Sequence, residues 1–306
     1  MTNTLLFRGS GVALITPFET TISPDGHNQY AVNFAEIERL IHWHIERHTD
    51  AIIVCGTTGE ASTLSESEKK AIFSFSVKIA NGRVPILAGT GCNDTADTIA
   101  RSQLAEKAGA DGLLIVTPYY NKCTQKGLIA HYTAIANAVN IPIILYNVPG
   151  RTGVNISPET VAILAEHTNI VGIKEASGDL SQVAKIASLC PKSFAIYSGN
   201  DDQIIPTLSL GGVGVISVLA NIMPQETHDM VRYYLEGQQQ SALALQLNLL
   251  PLINTLFIEV NPIPVKAAMQ LMGMSVGSLR LPLTDMEDAS KQRLIQEMIH
   301  SGLLSG

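Results

Sequence analysis

Charge is scarce in this chain. Only 15% of its 306 residues are Asp, Glu, Lys or Arg, against roughly 25% in an average soluble domain. With hydrophobic residues at 46%, the shortfall argues against disorder, which needs low hydrophobicity and high net charge. It also points to surface hidden in subunit contacts. Basic charge is the scarcer sign: 20 Lys+Arg against 27 Asp+Glu leave a formal net charge of -7. Such a chain has no broad electrostatic reason to bind nucleic acid or an anionic membrane. Long apolar runs are lacking too. Gly112–Val116 and Ile141–Leu145 fall far short of the ~20 residues that span a bilayer. Met1-Thr2-Asn3-Thr4 offers no basic segment leading into an apolar one, so no secretory leader is read and a cytoplasmic location is expected.

Cysteine is equally sparse. Cys55, Cys92, Cys123 and Cys190 are widely spaced, with no Cys-x-x-Cys pair, which speaks against a disulfide framework or a structural metal. Cys55 ends an apolar run and reads as a buried, inert thiol. A glycine fingerprint behind the first strand is also missing. Thr16-Pro17-Phe18-Glu19 follows that strand, and the one glycine cluster, Gly211-Gly212-Val213-Gly214, precedes a strand. A dinucleotide fold is therefore disfavoured.

What is present is an alternation. Short apolar runs at Gly11–Thr16, Ala51–Gly56, Val84–Gly89, Gly112–Thr117, Ile141–Tyr146, Ile170–Lys174, Phe194–Gly199 and Val213–Val218 have the length and β-branched content of strands buried on both faces. Amphipathic stretches lie between them, two opened by caps at Ser65 and at Ser157-Pro158. Eight such units predict an α/β protein, a (β/α)8 TIM barrel, over residues 1–237. After Gly237 the alternation stops, and Gln238–Leu256, Pro264–Met272 and Asp285–His300 read as helices. Residues 238–306 are thus expected to form a small helical appendage.

Function in such barrels gathers at the carboxyl ends of the strands. Lys174 ends the run Ile-Val-Gly-Ile-Lys. Strand alternation sets it opposite Ile173, so an outward Ile173 places Lys174 inside the barrel. At the ordinary lysine pKa near 10.4, about one amine in 2500 is neutral at pH 7. An apolar interior enlarges that fraction, and a neutral amine attacks a ketone to form a Schiff base. The other reading is a buried lysine paired with a carboxylate such as Glu175.

Tyr146 ends the neighbouring run and is either a core tyrosine or a proton relay for that chemistry. Thr57 and Thr58, between Gly56 and Gly59, offer hydroxyls and backbone N–H groups to a small carboxylate. Arg151 is either a solvated charge or a bidentate grip on a second carboxylate. Tyr119-Tyr120 reads as an interface pair. His44 and His48 share a helical face without supporting ligands and read as a surface helix.

The set Gly56-Thr-Thr-Gly-Glu60, Thr117-Pro-Tyr-Tyr-Asn121, Tyr146-Asn-Val-Pro-Gly-Arg-Thr-Gly153, Gly172-Ile-Lys-Glu-Ala176, Ser198-Gly199, Gly214-Val-Ile-Ser-Val218 and Asn261-Pro-Ile-Pro-Val-Lys266 resembles the dihydrodipicolinate synthase family. These pyruvate-dependent Schiff-base aldolases include N-acetylneuraminate lyase, and the likeness runs from Gly11 to about Thr284. The resemblance implies a lyase of lysine and diaminopimelate biosynthesis that condenses pyruvate on Lys174 with L-aspartate 4-semialdehyde. It implies that Thr57 links Tyr146 to a Tyr120 reaching across a subunit interface, and that Thr58, with backbone near Gly199 and Ile216, binds the pyruvate carboxylate. Arg151 would orient the relay and receive the aldehyde's carboxylate.

The resemblance also implies no cofactor or metal, and a homotetramer built as a dimer of dimers. A sugar-acid lyase of the same family is the second reading, which Arg151 and the Thr57-Thr58 pair disfavour. A scaffold that has lost catalysis is the third. One departure stands out. Lysine-inhibited relatives resemble one another in histidines and a glutamate where this chain has Glu66, Lys69 and Asp97. A cationic Lys69 repels free lysine, so weak or absent feedback inhibition is expected, although Tyr119 and Asn93 remain.

Overall fold

The computed structural model describes residues 5–22 and 28–305; the N-terminal tetrapeptide read above for a leader lies outside them. The strands are β1 (Gly9–Ala13), β2 (Phe18–Ile22), β3 (Asn28–Val32), β4 (Ala51–Val54), β5 (Ile86–Gly89), β6 (Gly112–Val116), β7 (Ile143–Asn147), β8 (Ile170–Glu175), β9 (Ala195–Ser198) and β10 (Gly214–Ser217). The helices are α1 (Phe34–Glu46), α2 (Glu66–Ala80), α3 (Thr95–Lys107), α4 (Gln125–Ala138), α5 (Pro149–Thr152), α6 (Pro158–Leu164), α7 (Leu180–Leu189), α8 (Ile204–Ser209), α9 (Pro224–Leu235), α10 (Gln239–Thr255), α11 (Ile263–Leu271) and α12 (Asp288–His300).

Strands β1 and β4 to β10 close into a parallel barrel, with β1 pairing both β4 and β10. All eight sequence-read strands are in it. The β2–β3 hairpin was not foreseen. It leaves the barrel straight after β1 and pairs antiparallel with itself.

Two apolar layers explain why these runs are strands buried on both faces. Ile52, Leu113, Ile115, Ile143, Leu145, Ile170 and Ile173 pack outward against the helices. Ile53, Leu87, Leu114, Ile144, Tyr146, Val171, Ala195 and Tyr197 fill the interior. Phe7 closes the amino end, stacked on Tyr197 at 4.4 Å and accepting that phenol's hydrogen bond at 2.7 Å.

Strand β8 departs from strict alternation. Its register with β7 slips by one residue, with Ile143 opposite Ile170 but Ile144 opposite Gly172. Val171 is the extra residue, so Val171 faces in while Ile170 and Ile173 both face out. A bulge re-aims the side chains beyond it, and here it turns Lys174 inward. Gly172 makes the close approach possible, because a Cβ there would lie 2.6 Å from the Ala195 carbonyl oxygen.

The caps follow the sequence. Ser65 and Glu68 form a reciprocal capping box on α2, and Ser157 accepts from the Thr160 amide on α6. The reading of His44 does not hold. His44 is fully buried, bonded through Nδ1 to Thr49 Oγ1 at 3.0 Å, and burial pushes its pKa down to about 3. Only His48 lies at the surface. The apolar stripe Ile37, Leu40, Ile41 continues at helical spacing into His44, which is why the ring is inside. Among the described residues no helix is long and apolar enough to cross a membrane.

Candidate active site

The carboxyl ends of β7 and β8 meet in register, Tyr146 beside Lys174. Both are buried, Lys174 at 4% exposure and Tyr146 at 8%, and the Lys174 Nζ stands 4.5 Å from the Tyr146 ring centroid. The alternative reading, in which Glu175 neutralises Lys174, fails on direction. The Glu175 carboxylate points outward, accepting from Asn147 Nδ2 at 3.0 and 3.2 Å, from Gln182 Nε2 at 3.0 Å and from the Ser177 amide at 2.7 Å. Lys174 is therefore an amine in an apolar barrel beside a phenol, with its sequence neighbour otherwise engaged.

A cleft of about 330 Å³ opens on the Tyr146 side of this pair; Lys174, Thr58, Gly199 and Ile216 lie outside its lining. Gly56 and Thr57 line it after β4, Thr90 after β5, Tyr119 after β6, Tyr146 at the end of β7 and Arg151 beyond it. Lys69 and Arg101 reach it from α2 and α3, both bonded to Glu66 Oε1, at 2.9 and 3.0 Å. Three cations against one bridging carboxylate make a mouth suited to small anions. Arg151 is exposed on α5, a single helical turn opened by Pro149. Cys55 lines the same cleft, but burial pushes its thiol up, so it is no nucleophile at neutral pH.

The turn after β4 is anchored residue by residue. Thr57 is exposed, whereas Thr58, Gly59 and Glu60 are buried. Asn261 donates from Nδ2 to Thr58 Oγ1 at 3.0 Å, and Thr16 Oγ1 donates to the Gly59 carbonyl at 2.7 Å. Glu60, in the left-handed region at φ 54°, receives Lys266 Nζ at 2.7 Å on one oxygen and the Arg280 amide at 2.9 Å on the other. Both side chains of the Lys266–Glu60 pair are out of solvent, at 1% and 0% exposure. Burial is the largest influence on the Lys266 ammonium and, with the nearby Arg280 charge, leaves its pKa lowered although Glu60 opposes both.

The Phe18 ring lies between Lys266 and Arg280, each 4.3 Å from its centroid. The Arg280 guanidinium also holds Glu68 of the capping box, pulling its carboxyl down to about 2. The mouth is thus not built by residues 1–237 alone. The segment beyond them supplies Asn261, Lys266 and Arg280, and the unforeseen hairpin supplies Phe18.

The other expected residues fall as follows. Gly199 follows β9, where its amide donates to the Glu175 carbonyl at 2.7 Å and a Cβ would lie 2.5 Å from that of Ala176. Ile216 is buried in β10, facing the interior. Below that strand end Asp201, unmarked in the sequence, accepts from the Val218 and Leu219 amides at 3.0 and 2.9 Å. Burial raises its carboxyl. Tyr120 is not in this chain's cleft; it projects at 90% exposure with φ 71°. Tyr119 is in the cleft. Asp97 is exposed on the first turn of α3 and does not line it.

Comparison with known proteins adds an independent observation. Residues 6–300 match the model of the dihydrodipicolinate synthetase family. A 4-hydroxy-tetrahydrodipicolinate synthase of Clostridium perfringens is 57% identical over 299 residues, covering 98% of this chain and all of the relative. Among solved structures, the dihydrodipicolinate synthase of Aquifex aeolicus is similar at 42% identity and TM-score 0.93, over 98% of this chain and all of that one. The chloride-inhibited dihydrodipicolinate synthase of Acinetobacter baumannii, solved complexed with pyruvate, is similar at 43% identity and TM-score 0.91, over 97% of this chain and 99% of that one.

Proposed function

The chain belongs to the dihydrodipicolinate synthetase family and has its 4-hydroxy-tetrahydrodipicolinate synthase activity, and from that premise we propose how its own residues divide the work. The observation that carries the reading is the buried Lys174 amine 4.5 Å from the Tyr146 ring. The free amine attacks the C2 carbonyl of pyruvate, giving a carbinolamine. Loss of water then leaves an imine on Lys174. Removal of a C3 proton gives the enamine, whose C3 attacks the aldehyde carbon of L-aspartate 4-semialdehyde, and the new alkoxide takes a proton. The amino group of the second substrate closes on the imine carbon and displaces Lys174. The product is 4-hydroxytetrahydrodipicolinate, with one water released overall and the lysine regenerated.

Tyr146 carries protons between these steps, since its phenol stands beside the reacting nitrogen. Thr57 links it to Tyr120 of a neighbouring subunit, a role that suits a tyrosine almost wholly exposed on its own chain. Thr58 receives the pyruvate carboxylate, with help from backbone near Gly199 and Ile216. Arg151, on the rim of the cleft, receives the carboxylate of the aldehyde. The functional unit is a homotetramer of the cytoplasm, and the chemistry takes no cofactor or metal because the imine itself is the electron sink. Free lysine is a weak effector or none, since Lys69 lines the cleft.

A coupled assay separates this from the sugar-acid lyase reading. With pyruvate present, turnover is expected with L-aspartate 4-semialdehyde and not with N-acetylneuraminate. Cleavage of N-acetylneuraminate at a comparable rate would contradict it.

A further inference from the structure

We propose that Asn261 is a positioning residue for keto-acid binding, acting through Thr58; this rests on the reading that Thr58 receives the pyruvate carboxylate. A threonine hydroxyl has one proton to give and two lone pairs to accept with. Asn261 Nδ2 fills one lone pair of Thr58 Oγ1 at 3.0 Å. That contact leaves the hydroxyl's own proton unspent, so the proton is available to an anion in front of the turn. The reverse arrangement, Asn261 accepting from Thr58, would turn the proton away from the substrate.

The orientation follows from what each arrangement leaves unpaired. As observed, the 5% exposed Asn261 side chain has a single buried atom without a partner, the acceptor Oδ1. Turned over, it would leave both Nδ2 N–H groups unpaired instead of one N–H and Oδ1, and an orphaned buried N–H is the rarer of the two. Donation into a hydroxyl also polarises its O–H bond, which strengthens the next bond in the chain.

The amide is fixed where it stands. It closes the loop before α11, and five residues on Lys266 of that helix holds Glu60 at 2.7 Å. One short segment therefore grips both Thr58 and the residue two positions after it, while Thr16 holds the Gly59 carbonyl between them. A donor delivered from more than 200 residues away in sequence sets the direction of one hydroxyl.

The test is a double-mutant cycle read by KM for pyruvate. Asn261→Ala is expected to raise that KM about tenfold, the value of one hydrogen bond to a charged group. Turnover at saturation and KM for the aldehyde should stay within about twofold, because neither depends on this contact. Asn261→Asp replaces the donor by an acceptor and adds a like charge, so its KM should rise further than that of Asn261→Ala. Asn261→Ser keeps a small donor and should recover part of the loss, and it serves if Asn261→Ala fails to fold. In a Thr58→Val background, Asn261→Ala should change nothing more.

Additive effects of the two substitutions would overturn the proposal, as would an unchanged KM for pyruvate in Asn261→Ala or a loss shared equally by both substrates. If Thr58→Val itself leaves the pyruvate KM unchanged, the underlying assignment of Thr58 falls, and the proposal with it.

Discussion

Lys266→Met is the substitution with the most calculable consequence. Methionine keeps most of the stem that lies against Phe18 but removes the ammonium, and Glu60 then keeps only the Arg280 amide in a place with no solvent. Removing one partner of a buried ion pair costs about 3–5 kcal/mol. The stranded acid has one escape, which is to take up a proton. A glutamic acid ordinarily ionises near pH 4.3, so protonating it at pH 7 costs about 3.7 kcal/mol and at pH 5 about 1 kcal/mol.

The loss is therefore capped at about 4 kcal/mol at pH 7 and shrinks towards about 1 kcal/mol at pH 5. The sign is that of an acid whose folded-state pKa has been raised: the variant is least handicapped at low pH and loses stability as pH rises. Adding Glu60→Gln to Lys266→Met removes the stranded charge and should recover most of the loss. Equilibrium urea unfolding at fixed protein concentration reads both quantities, and KM for pyruvate should rise with the loosened turn. A loss below about 1 kcal/mol at pH 7, an equal loss at pH 5, or a double variant no better than the single one would refute the reasoning.

Acid should weaken the protein through two imidazoles. Burial holds His44 at about 3 and His131 at about 4, below the unfolded value near 6.5, so each contributes stability above pH 6.5 that is lost as pH falls. By pH 5 the loss is about 2 kcal/mol for each; His44→Gln should halve the slope of stability against pH, and a flat profile from pH 7 to 5 would contradict this. His228 works the other way, because its bond to Asp50 raises its pKa. That contribution is complete below pH 6.5 and fades as pH rises through the raised value, so His228→Gln should cost less at pH 9 than at pH 6.

Lysine at millimolar concentration should leave turnover nearly unchanged; a fall to near zero would show that Lys69 does not exclude it. Tyr120→Phe and Lys174→Ala should each be nearly inactive alone. Co-refolded in equal amounts, they should regain about a quarter of normal activity, since half of the symmetric dimers are mixed and one of their two sites is whole. No recovery would mean that Tyr120 serves its own chain.

The barrel was legible because each strand is buried on both faces and so reads as an apolar run, and Lys174 was conspicuous as a cation ending one. The inference that Lys174 opposes Ile173 was sound over that step, yet the bulge at Val171 shows alternation failing two residues earlier. Nothing in Ile-Val-Gly-Ile marks a bulge except the glycine. The hairpin escaped because Phe18–Ile22 and Asn28–Val32 are mixed in polarity and belong to no repeating unit. His44 was misread by weighing it against His48 instead of against Ile37, Leu40 and Ile41, whose face it shares. Asn261, Lys266 and Arg280 lie 200 residues or more from the turn they hold, and pattern reading has no access to such pairings. Asn261 and Lys266 stood in a motif quoted for its likeness alone.

The most direct test of the whole account is borohydride reduction in the presence of pyruvate, followed by peptide mass mapping. A single stable adduct on Lys174, absent from Lys174→Ala, is the predicted result. An adduct on another lysine, or none at saturating pyruvate, would contradict the claim that this buried amine forms the covalent intermediate.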